Sequence, residues 1–185
     1  MISPAAEPTP QEKVLKRVLI VSLLDGWSVI AFAALGILLT LLFGDLSGMA
    51  VGVMIAFAGA IEIRGRNKLK RGNPDGMKLL VRSQLFLLAV ILAYCASRLG
   101  SFDGDSAMGN LTPDMEAMLK EGGLDKADIL PMVRTMFFVL YGGLAIGTIL
   151  FQGGMALYYR RRIIPVTAAL TVSMPPPNPS TPTSP

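Results

Sequence analysis

Four long apolar stretches, at 18–43, 46–63, 79–97 and 135–159, are separated by shorter polar connections. Each approaches the roughly 20 apolar residues that cross about 30 Å of hydrocarbon as a helix. The pattern predicts an all-α, four-helix transmembrane bundle as a single membrane domain over 1–165. A disordered Pro-rich tail, ending PPPNPSTPTSP, is expected over 166–185. No internal repeat suggests a duplicated transporter.

The connections carry matching local signals. Thr9-Pro10-Gln11-Glu12 has capping-box spacing with Pro at the first helical position, so the first helix is expected to start there. The Lys70–Gly76 stretch KRGNPDG pairs a Gly stop with an Asn73-Pro74-Asp75 restart, which predicts a tight hairpin between helices two and three. The longest connection, Leu99 to Arg134, holds Asp103, Asp105, Asp114, Glu116, Glu121, Asp125 and Asp128. Within it Thr112-Pro113-Asp114 opens a short amphipathic helix ending near Gly122-Gly123. Leu111, Met115, Met118 and Leu119 form its apolar side, facing the bundle or the headgroups.

Composition strengthens the membrane reading. Hydrophobic residues make up 52% and charged residues 16%, against about 25% charged in soluble domains. The first apolar run is too long for a signal-peptide core, and its leader carries Glu7 and Glu12, so it is expected to be a retained span. Of the 17 Lys and Arg, thirteen fall before helix one, around the second connection and after helix four; only Arg98, Lys120, Lys126 and Arg134 fall on the other side. Positive flanks mark the cytoplasmic side. Both termini are therefore expected in the cytosol, in a bacterial inner membrane. Each basic cluster abuts a span, where it already has a topological role, so no nucleic-acid partner is expected.

The chemistry available is narrow. Histidine is absent and Cys95 is the only cysteine, which removes the commonest general base and metal ligand and any internal disulfide. No cofactor is expected, and neither is enzymatic activity. Asp103-Gly104-Asp105 resembles the start of an EF-hand loop, but Ala107 and Met108 stand where an oxygen ligand and Gly are needed, so no metal site is expected. Cys95 reads as a small packing residue. Gly142-Gly143 and Gly153-Gly154 lie inside a span, where close packing or a bend explains them better than a phosphate cradle.

Polar residues inside spans are the functional candidates, because they are costly in lipid and turn toward the bundle or water. They are Asp25, Glu62, Arg82, Gln84 and Gln152. Helical angles place them on stripes. Helix one offers Ser22, Asp25, Ser28 and Gly36, interrupted by Phe32; helix two offers Gly48, Gly52, Ala56 and Ala60, with Glu62 off its lower end. Helix three offers Arg82, Ala89, Ala93, Ala96 and Gly100, and helix four offers Tyr141, Ala145, Thr148, Gln152, Ala156 and Tyr159. The expected arrangement is a Glu62–Arg82 ion pair across the hairpin, with Gln84 nearby and Asp25 competing for the guanidinium, all in the cytoplasmic half.

In helix number and a first-helix carboxylate the chain resembles small multidrug transporters. Its external connection is far longer, and LLDGWSV around Asp25 matches no motif of that family, so no family is claimed. The expected function is that of a non-catalytic accessory or scaffold subunit. The alternative is a small homodimeric transporter or channel, coupled to a cation or a proton through Asp25. The expected partners are the lipid bilayer and either a second copy or another membrane protein.

Overall fold

A computed structural model describes residues 9–42, 44–104, 113–123 and 125–173, and these are overwhelmingly helical. The helices are α1 (Pro10–Leu42), α2 (Leu46–Lys70), α3 (Asp75–Gly100), α4 (Pro113–Glu121) and α5 (Lys126–Ser173). All but α4 are long and apolar enough to cross a membrane. By helix length and hydropathy this is a multi-pass membrane protein.

Local chemistry sets the helix ends. At the start of α1 the Thr9 N–H donates to Glu12 Oε2 at 2.8 Å and the Glu12 N–H to Thr9 Oγ1 at 3.3 Å, the reciprocal pair of a capping box. Asp45 caps α2 by accepting from the Gly48 N–H at 3.0 Å. Between α2 and α3, Gly72 takes φ +77°, a left-handed value that favours glycine. Asn73 Oδ1 accepts from the Asp75 N–H at 2.9 Å and restarts the helix. The amphipathic helix expected in the long connection is present as α4, although Leu111 and Thr112 lie outside the described residues, as does the Asp105–Thr112 part of the acidic stretch.

One boundary differs from expectation. α5 runs through Pro165 to Ser173, so 166–173 is helix rather than the start of the tail; residues 174–185 lie outside the described part. Proline removes a backbone donor and crowds the preceding turn. Here the residues beyond it are held in place by packing: Val166, Ala169 and Leu170 are all buried.

The chain divides into two compact units. The first comprises α1, α2, the part of α3 up to Leu87 and the part of α5 from Gly154. Its core is Val18, Leu69, Met77, Leu80, Tyr159, Val166 and Leu170. These residues lie at or beyond the ends of the apolar stretches, beside the basic clusters, where water is available to drive apolar burial. Close approach of α1 to α2 relies on small residues. A Cβ on Gly59 would lie 2.8 Å from Ile30 Cγ1 and 3.1 Å from the Gly26 carbonyl oxygen. Gly65 and Gly76 bring α2 and α3 together, and a Cβ on Gly76 would overlap the Gly65 carbonyl oxygen.

The second unit, Leu88–Gly153, packs through aromatic rings. Phe137 packs at a tilt against Phe102 and Tyr141, with centroids 4.8 and 4.6 Å apart, and Tyr94 meets Tyr141 edge-on at 6.0 Å. The Arg98 guanidinium sits 5.2 Å over the Tyr94 ring and that of Arg134 sits 5.8 Å over Phe138. Cys95 is buried, in keeping with a packing role. A Cβ on Gly142, Gly143 or Gly147 would meet nothing within 4 Å among the described residues, so packing against these does not account for the three glycines.

Candidate functional site

Four side chains from four helical segments of the first unit meet in one buried polar cluster. Asp25 comes from α1, Glu62 from α2, Gln84 from α3 and Tyr159 from α5. Asp25 is 8% exposed, Glu62 1%, and Gln84 and Tyr159 0%. Gln84 Nε2 donates to Asp25 Oδ2 at 2.6 Å and to Glu62 Oε2 at 2.9 Å. The Tyr159 hydroxyl donates to Glu62 Oε1 at 2.8 Å. Both carboxyl groups thus accept from a single amide nitrogen.

The helices reach this point on faces that follow their periodicity. On α1 the buried line is Val18, Ser22, Asp25, Gly26, Val29 and Ala33. Ser28 and Phe32 point outward, so only the Ser22–Asp25 end of the expected stripe packs. Gly26 faces this part of α2: a Cβ there would crowd Ile63 Cγ1 at 3.2 Å and touch Glu62 Cβ and Cγ at 3.6 Å. On α2 the small-residue ladder runs Gly48, Gly52, Gly59 and then Glu62. Glu62 therefore continues the packing face instead of lying off its end. The expected stripe on helix four is borne out from Thr148 onward: Thr148, Gln152, Ala156 and Tyr159 are all buried.

Helix three requires a correction. Arg82, Ala89, Ala93 and Ala96 are exposed, while Met77, Leu80, Ser83, Gln84 and Leu87 are buried. Two residues are about 200° apart around a helix, so a face that turns Gln84 inward turns Arg82 out. Small residues permit close approach but do not compel it, and here the bulky face fills the core. The expected Glu62–Arg82 ion pair is not formed. Among the described residues neither carboxyl has a lysine or arginine partner, and the ion pair seen is Lys78–Asp75, 2.8 Å apart at the surface. Arg66 is committed elsewhere, its Nε donating to the Leu19 carbonyl at 3.0 Å and tying α2 to α1.

Of the five candidates from sequence, the structure brings Asp25, Glu62 and Gln84 together, leaves Arg82 at the surface, and puts Gln152 in the second unit, buried, with an Oε1 that accepts nothing from the described residues. Tyr159 is the member that sequence reasoning misses as a ligand of Glu62. Its place at the end of the Thr148–Gln152–Ala156 stripe is the signal that could have found it.

Chemically, the cluster presents two acids to one amide and one phenol. Two acceptors on a single nitrogen can be no farther apart than the sum of those two bonds, so the acids crowd each other. With no cation from the described residues alongside, two full negative charges there would repel strongly in a medium of low dielectric constant. No family model, no curated protein and no solved structure matches the chain, so its own geometry carries the functional reading.

Proposed function

We propose that this protein is a non-catalytic accessory or scaffold subunit of a bacterial inner membrane, crossing the bilayer four times with both termini in the cytosol. The observation that carries this reading is that the two buried carboxyl groups of the first unit are held by its own side chains, Gln84 and Tyr159 donating to Asp25 and Glu62. Meanwhile large apolar side chains line the outside. Leu24 on α1 is 66% exposed, Phe32 74%, and Leu150 on α5 71%. Such surfaces suit lipid and the helices of a partner. The bias of Lys and Arg toward the segments before α1, between α2 and α3 and within the last turns of α5 supports the orientation.

The test is purification in a mild detergent followed by native mass spectrometry. A second copy or another membrane protein retained in fixed stoichiometry is the expected outcome. A chain that elutes alone, as a monomer, from every mild detergent tried would overturn the reading.

A second reading, a small homodimeric transporter coupled to a cation or proton through Asp25, draws support from Glu62, the second carboxylate on the same amide. Transport would require that protein-containing vesicles move a cation or dissipate an imposed pH gradient, and that Asp25→Asn abolish the flux. Vesicles as tight as protein-free controls would end it.

A further inference from the structure

We infer that Asp25 and Glu62 together form a binding site for a single proton, completed by the Gln84 amide and the Tyr159 hydroxyl. The inference goes beyond the scaffold reading and stands whether or not a partner is bound. Its first support is the closeness of the acids. Both accept from the same Gln84 Nε2, at 2.6 and 2.9 Å, so their accepting oxygens cannot lie farther apart than those two bonds allow, and a hydrogen bond between two carboxyl groups exists only when one of them carries a proton. In binding terms, one carboxylate takes a proton from solvent and becomes a carboxylic acid, and its new O–H donates to the other carboxylate.

Among the described residues, none places a positive charge in the cluster, which leaves that role to the proton. α3 contributes neutral Gln84 and α5 contributes neutral Tyr159, with the Tyr158 ring 5.6 Å from that of Tyr159. From α2, Arg64 is exposed and Arg66 donates to the Leu19 carbonyl of α1; from α3, Arg82 is exposed. Like charges that share a buried site are relieved by retaining a proton between them.

The second, independent support is Gln84 itself. Its side chain is 0% exposed, and its Oε1 accepts no hydrogen bond from the described residues, although its Nε2 sits between the two acids. A buried acceptor without a donor costs free energy. The amide nevertheless holds its nitrogen toward the acids, donating to both. A metal cation at the pair would meet that nitrogen, whereas a proton shared between the two carboxyl groups needs no further ligand.

Infrared spectroscopy of the full-length protein in detergent at neutral pH tests this. The chain has 13 Asp and Glu, and the spectrum should contain the carbonyl stretch of one carboxylic acid per chain, shifting in heavy water. Asp25→Asn/Glu62→Gln, which keeps the shape of both side chains, should lose that band while circular dichroism shows the helices retained. A wild-type spectrum with no acid band would overturn the inference, and that measurement needs no variant to fold. So would a band that survives in the double variant, or one that disappears when sodium is added at constant pH, which would mean that a metal ion displaces the proton.

Discussion

The two units of this protein solve the problem of packing apolar helices in different ways. The first has a dense core, close glycine contacts and a buried polar cluster; the second has ring-on-ring contacts and helix faces on which several glycines meet no described neighbour within 4 Å. The difference teaches where specificity resides. A polar cluster with directional bonds permits one register among four segments, whereas aromatic contacts and bare glycines tolerate several. The core of the first unit lies at or beyond the limits of the apolar stretches, where the hydrophobic effect can act, while lipid provides no such drive along the spans.

Substitutions should expose this contrast. Gln84→Leu would strip both acids of their shared donor and is expected to cost about 3 kcal/mol. Gln152→Leu in the second unit should cost roughly 1 kcal/mol, because its Oε1 accepts no bond from the described residues. Detergent-based unfolding followed by circular dichroism would compare them, and equal losses would erase the distinction. Next in size is Gly76→Ala, whose new methyl would meet the Gly65 carbonyl oxygen and lie 2.9 Å from the Leu69 nitrogen. An overpacking cost of about 2 kcal/mol is expected, whereas Gly143→Ala should stabilise by roughly 0.5–1 kcal/mol through helix propensity alone.

The smallest effect concerns the α2–α3 connection. Asp75, ahead of the span, is held below the usual carboxylate range, first by its hydrogen bond to Lys78 and then by the charge of that ammonium. A carboxyl lowered in the folded state contributes stability that is present above its unfolded range and is lost as pH falls through its folded midpoint. Full exposure keeps that contribution slight. Lys78→Ala should raise the Asp75 midpoint measured by NMR titration; an unmoved midpoint would remove the pair from the account.

Much of the architecture is legible in the primary structure because its signals are local. The capping box at Thr9–Glu12, the stop and restart around Gly72 and Asn73, and the four apolar runs each act within a few residues, and the helices begin and turn accordingly. Three of the five polar candidates also meet. Pro165 shows the limit: its local effect favours termination, yet α5 continues because Val166 and Leu170 bury in a core assembled from α1, α2 and α3.

The choice of faces lies beyond such reading. α3 offers a small-residue side around Arg82 and a bulky side around Gln84, and either could turn inward on periodicity alone. Sequence determined how many helices are long and apolar enough to span, where several of them begin, and which few polar groups need partners, since hydropathy and capping depend on neighbours along the chain. Tertiary structure alone decided that Gln84 and Tyr159, and not Arg82, are those partners, because rotation about a helix axis is settled only when the side chains of one helix interlock with those of another.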